Sequence, residues 1–177
     1  MVNPTATRVR SDIARPGLSP GRPLPYISIM TDTWHLPDPH TQPEFYADIP
    51  MKRLMAWLAD TGLILIISVL IVPLTAFTGL FFFPLLFLTV SFAYRVITIA
   101  QGSATWGMRL MAIEFRTNEG LRFDTSHALL HSAGYTFCWM FVPLQVASII
   151  LMATTERAQS LVDFALSSVA INRRAAS

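Results

Sequence analysis

Asp60 is the only formal charge in LMAWLADTGLILIISVLIV, residues 54–72, the most apolar stretch of the chain. At about 1.5 Å per residue, such a run crosses most of a hydrocarbon core of about 30 Å. Inserting a charge at that depth costs about 2.5–3.5 kcal/mol even on lenient scales, so an ionisable side chain there is read first as a functional site. A carboxylate in this setting can take up and release a proton or hold a cation. The plainer alternative is an interhelical acceptor that fixes packing. Arg53 stands seven residues earlier on nearly the same helix face, so both side chains can point into one polar seam. Arg53 alone also suits a basic anchor at the membrane edge. His131, in HALLHSAGY, has a near-neutral reference pKa and suits either a proton pathway or a satisfied core position.

Other chemistries find little support. Cys-x-x-Cys, His-Glu-x-x-His and a nucleotide-binding glycine loop are all absent from the sequence. Glu114, Glu119, Asp124 and Glu156 fall in connections, so no intramembrane carboxylate dyad is expected. The reading is therefore not an enzyme, with no cofactor and no metal. A net charge of +2 with scattered arginines gives no nucleic-acid stripe, and the single Cys138 excludes an internal disulfide.

The elements that must carry these residues are membrane segments. Of 177 residues 53% are hydrophobic and 14% charged, against about 25% charged in an average soluble domain. Pro73 and the neutral TAFTG stretch predict a tight turn after the first span. A second apolar run follows over Leu80–Ala100, with Pro84 in its opening turns and Tyr94 and Arg95 suited to an interface near its far end. Lys52 and Arg53 precede the first span, the turn between spans is uncharged, and Arg109, Arg116 and Arg122 follow the second. By the positive-inside rule the N-terminus is cytoplasmic.

The third apolar stretch, His127–Ala153, would be about 40 Å long as one helix and would carry Arg157, Arg173 and Arg174 outside. A break at Pro143 would instead make a re-entrant pair of half-helices, which is the favoured form, with three full crossings as its rival. Met108–Arg116 partly alternates, placing Arg109, Met111, Ile113 and Phe115 on one side of a strand that Asn118-Glu119-Gly120 would turn. Ser168–Asn172 is a second strand candidate, able to pair with the first only on the same side of the membrane. The expected fold is thus an all-α integral membrane bundle of three apolar segments with a short cytoplasmic β pairing.

Residues 1–50 hold nine of the twelve prolines and show no apolar period, predicting a disordered leader ahead of a membrane domain over 51–173. No apolar h-region stands near the start, so the first span is expected to act as insertion signal, and Met30 is an alternative start.

Three segments in order resemble the RDD family of small bacterial membrane proteins. RLMAWLAD is similar to the family's Arg-x-x-Ala-x-x-x-Asp opening through Arg53, Ala56 and Asp60. GSATWGMRLMAIEF is similar to its Gly-x-Thr-x-Gly-Lys-Arg-Leu-Leu segment through Gly102, Thr105, Gly107 and Arg109, with one extra residue between Gly102 and Thr105. RAQSLVDFALSSVAI resembles the closing Arg-x-Gln-x-Leu-His-Asp segment, with Asp163 as second aspartate. The chain departs from the pattern at Met108 (usually lysine), Val162 (usually histidine) and Ser168 (near a typical threonine), and has His131 where many members have arginine.

The resemblance implies a polar network of Arg53, Asp60 and Asp163 at the cytoplasmic half of the bundle, with Arg109, His131 and Thr105 as candidate pathway or supporting residues. It further implies a multi-pass protein of the cell inner membrane with a role in ion or small-solute movement. The competing expectation is a non-transporting scaffold or accessory subunit that docks a partner. Expected partners are the lipid bilayer and either further copies of the chain or another membrane protein.

Overall fold

The computed structural model describes residues 36–173. Most of the expected disordered leader lies outside the described residues, but its last part is folded. A 3-10 turn at Pro43–Phe45 leads into the first helix, and Leu36 and Tyr46 are buried against Val169 and Ile171 near the C-terminus. Proline density in 36–50 therefore reflects a strap that wraps the domain, with apolar side chains spaced to anchor it.

Helix α1 (Ile49–Leu74) has Pro50 in its first turn, where a missing amide is harmless, and Pro73 in its last. From Ala56 onward its buried residues are Ala56, Asp60, Ile64, Ser68 and Val72. Spacing of four keeps them in one stripe. Leu58, Leu65, Ile66, Val69 and Leu70 face outward. Ala76 and Phe77, both with positive φ, turn the chain into a short helix α2 (Thr78–Phe81). Helix α3 (Phe83–Gly102) begins three residues later than the apolar run suggested, because Pro84 fits only its opening positions. The segments Pro43–Leu74 and Phe83–Gly102 contain windows of mean hydropathy 2.3 and 1.7 and are long and apolar enough to cross a membrane. Little of either is buried within the protein, as expected of surfaces that face lipid.

Helix α4 (Trp106–Leu110) replaces the first part of the expected strand. Thr105 caps it, its side chain accepting from the Met108 amide at 3.2 Å, so Met108 and Arg109 are helical rather than extended. Strand β1 (Ile113–Thr117) starts only after Ala112, whose φ of 56° redirects the chain. Gly120, at φ 74°, closes the following turn.

Asp124 caps helix α5 (Thr125–Met140), and its carboxyl pKa is pulled down to about 2 by the His127 amide first and then by the His127 ring and Ser126 hydroxyl. Helix α6 (Val142–Thr154) carries Pro143 in its first turn and is bent by 118° from α5, so the third apolar stretch is broken where the proline stands. A short helix α7 (Leu161–Ala165) leads to strand β2 (Ser168–Asn172).

The strands pair antiparallel, Ile113 opposite Asn172 and Thr117 opposite Ser168. Since β1 precedes α5 and β2 follows α7, the bent pair leaves from and returns to the sheet end of the molecule. The main core sits there too: Ile49, Ala56, Ile99, Ala104, Met108, Ile113, Phe115, Phe123, Ala128, Ala158 and Ala170 form one buried cluster.

Candidate functional site

Helix α1 presents Arg53 and Asp60, on one face, to different partners. Seven residues correspond to about 10 Å along a helix axis, enough to separate them into two nodes.

The first node surrounds Asp60, 2% exposed. Its Oδ1 accepts from the Tyr94 hydroxyl at 2.6 Å and from the Gly107 amide at 2.7 Å, and its Oδ2 accepts from the Thr105 hydroxyl at 2.5 Å. Tyr94 in turn accepts from the Trp106 amide at 3.1 Å. One carboxylate thereby ties α1 to α3 and to the start of α4. The amide can reach it only because residue 107 has no side chain, since a Cβ there would lie 2.2 Å from the Ala56 carbonyl oxygen. Asp60 has no ion-pair partner among the described residues. Tyr94, expected at headgroup level, is turned inward to this carboxylate.

The second node surrounds Asp163, fully buried. Arg53 forms an ion pair with its Oδ2, and His131 Nε2 lies 2.9 Å from its Oδ1. The Ser160 amide donates to Oδ2 at 2.9 Å and the Asp163 amide donates back to Ser160 Oγ at 3.2 Å, the reciprocal capping box of α7. Burial by itself would raise the carboxyl pKa, but the Arg53 charge and the His131 contact outweigh it and hold the group well below the usual carboxylate range. Phe115 closes the node, its ring centroid 5.4 Å from the Arg53 guanidinium and 4.4 Å from the His131 ring. Arginine from α1, histidine from α5 and aspartate from α7 thus converge beside β1.

Arg53 and Asp60 on α1, with Asp163 more than a hundred positions later on α7, correspond to the family signature, and residues 48–167 match the model of the RDD family. The chain belongs to the RDD family. No curated protein and no solved structure matches it.

For this RDD chain the signature residues resolve into a lock, Arg53 with Asp163, and a separate cage about Asp60. The signature glycine and threonine, Gly107 and Thr105, belong to the cage. Arg109 joins neither node: its Nη2 donates to the Thr98 carbonyl oxygen at 3.1 Å, covering the C-terminal end of α3. Gly102 leaves room for that guanidinium, since a Cβ there would lie 2.6 Å from Arg109 Nη2.

Departures from the family pattern are absorbed by packing. Met108 is in the main core, and Val162 sits against Gly134 of α5. Ser168 is buried under Asp163, its hydroxyl 3.4 Å from the Asp163 carbonyl oxygen.

Several partners were not anticipated. Ser160 had a readable signal, since Ser-x-x-Asp ahead of an apolar run is a capping-box pattern. Tyr94 had none, because nothing local distinguishes an inward tyrosine from an interfacial one. Glu114, placed among the connections, is 2% exposed; it pairs with Arg116 on its own strand, and its Oε2 lies 3.4 Å from Arg173 and 3.8 Å from Arg122. Among the described residues, no group of three or more His, Cys, Asp or Glu side chains is placed to hold a metal ion.

Proposed function

We propose that the protein is a multi-pass inner-membrane protein that moves an ion or small solute, with Asp60 as the carboxylate that exchanges a proton or cation and Arg53–Asp163 as the lock that holds the two ends of the fold together. The observation that carries this reading is the Asp60 cage: a buried carboxylate within a helix able to span a membrane, held by three donors and by no cation among the described residues. A proton or cation taken up by Asp60 would weaken the bonds from those donors, which come from α3 and from the N-terminal end of α4. Charge on one residue would thereby be coupled to the seating of α4 on α1.

The proposed orientation places the sheet end in the cytoplasm, with a re-entrant third segment and both described ends on that side. It is supported by Lys52, Arg53, Arg109, Arg116, Arg122 and Arg173 around that end, against an uncharged turn between α1 and α3. A bundle this small has little internal room, so a pathway would run along contacts between copies of the chain. A homo-oligomer is therefore part of the proposal, and no catalytic step is.

The test is reconstitution of the full chain and of Asp60→Asn in liposomes carrying a pH-sensitive dye, with alkali cation gradients imposed across the membrane. Asp60→Asn should remain folded and lose pH-dependent flux; flux equal to wild type would overturn the role given to Asp60. A scaffold is the second reading, favoured by one observation: every oxygen of Asp60 and Asp163 already has a partner within the fold. On that reading the wild type gives no flux, and Asp60→Asn lowers stability or loses a bound membrane-protein partner.

A further inference from the structure

Arg95 lies on α3 seven residues before its sheet end at Gly102, about 10 Å along the axis. Its guanidinium stacks on Tyr135 of α5, with Cζ 3.9 Å from the ring centroid. Stacking satisfies a face of the guanidinium plane, but its five N–H donors point outward in that plane. None of them meets an acceptor among the described residues, and Nε is buried without a partner. The cation also has no carboxylate among the described residues: Asp60, bound by the neighbouring Tyr94, is committed to its three donors.

Tyr135 adds a second donor to the same place. Its hydroxyl oxygen accepts from Trp57 Nε1 at 2.9 Å, which leaves the phenolic proton free to donate, and no protein acceptor for it is found among the described residues. Tyr135 and Arg95 therefore bring unmet donors from α5 and α3 together with no anion between them among the described residues, Trp57 of α1 holding the Tyr135 hydroxyl in place. Unmet donors and an unpaired charge are costly at the edge of an apolar layer, where water is scarce.

We propose that Arg95 and Tyr135 form a binding site for a phosphate-type oxyanion, supplied either by a phospholipid headgroup or by a free phosphate. The in-plane fork of a guanidinium matches two phosphate oxygens, and the stacked ring fixes the fork in orientation. Nε is buried while Arg95 as a whole remains partly exposed, so the site opens on the outer surface of the bundle rather than into the Asp60 cage. The depth from the sheet end suits the level at which long cations reach headgroup phosphates. The site does not depend on whether anything is transported.

The full chain in detergent would be titrated with phosphatidylglycerol, phosphatidylcholine and inorganic phosphate, reading retained lipid by native mass spectrometry and the midpoint of thermal unfolding. Phosphatidylglycerol should bind the wild type at least tenfold more tightly than Arg95→Gln, with a smaller, roughly threefold loss for Tyr135→Phe, which keeps the ring and removes the hydroxyl. Protection by inorganic phosphate, lost in the same variants and without lipid retention, would assign the site to a free phosphate. Should Arg95→Gln fail to fold, Arg95→Lys keeps the charge without the planar fork, and the Tyr135→Phe arm stands by itself. Equal binding of phosphatidylglycerol and phosphate to the wild type and all variants, or no binding to the wild type, would overturn the proposal.

Discussion

Replacing Gly107 by alanine probes how closely α4 is seated on α1. The added Cβ would lie 2.2 Å from the Ala56 carbonyl oxygen, 2.8 Å from Asp60 Oδ1 and 2.9 Å from the Ala56 carbonyl carbon, whereas ordinary contacts begin at 3.4 Å. Two of these atoms are α1 backbone and cannot swing aside, so α4 must retreat by the difference, 3.4 minus 2.2 or roughly 1.2 Å. That retreat stretches the 2.7 Å bond from the Gly107 amide to Asp60 out of range. Overpacking costs about 1–3 kcal/mol and a lost hydrogen bond to a buried carboxylate about 1.5–3 kcal/mol, together about 3–6 kcal/mol. Gly62 on α1 provides the control, because a Cβ there meets nothing within 4 Å. Gly62→Ala should stabilise by about 0.5–1 kcal/mol through reduced backbone freedom in the unfolded chain. Reversible unfolding in mixed micelles would compare the two variants with the wild type. Gly107→Ala within about 1 kcal/mol of wild type would refute the close approach on which the Asp60 cage depends.

Breaking the buried lock by Asp163→Asn or Arg53→Gln should cost about 3–5 kcal/mol each, with the double variant far less than additive; additive losses would mean that the two side chains do not share one interaction. Because the Asp163 carboxyl is held below its usual range in the folded chain, its contribution is fully present above the unfolded value near pH 4 and is lost as pH falls from there toward the folded value. Acid unfolding followed by tryptophan fluorescence should accordingly be less steep in Asp163→Asn, and an unchanged slope would contradict the assignment. Asn172 donates to the Glu44 and Ala47 carbonyl oxygens at 2.8 and 3.0 Å and accepts from Lys52 Nζ at 2.7 Å. Asn172→Ala should cost about 1–3 kcal/mol and release the strap for proteolysis near residues 36–48, whereas wild-type resistance there would show that the strap is held by its apolar anchors alone.

Much of the architecture was legible because long apolar segments announce themselves locally. The first two apolar runs became α1 and α3, Pro143 marked the break in the third, and Ser168–Asn172 is a strand with the residues its alternation suggested. Errors fell where local pattern is ambiguous. Alternation over Met108–Arg116 looked extended throughout, but a threonine cap at Thr105 favours a helical turn first. The proline-rich leader hid a folded strap because Leu36, Tyr46 and Ile49 are too widely spaced to register as a period, although each is buried.

For the site, Arg53, Asp60 and Asp163 were singled out by residue type, motif order and the cost of charge in an apolar run. Sequence spacing placed Arg53 and Asp60 on one face of one helix, and they do share it. What tertiary structure decided is which partner each one meets. Helix periodicity sets direction but not reach, and a polar group buried at the edge of a bundle bonds to whichever donors the neighbouring segments bring within about 3 Å. The return of the broken third segment brings Asp163 and His131 to Arg53, while the close seat made by Gly107 brings Thr105 and an amide to Asp60. Both events depend on chain segments far apart in sequence, so no local pattern could have divided the expected single seam into a lock and a cage.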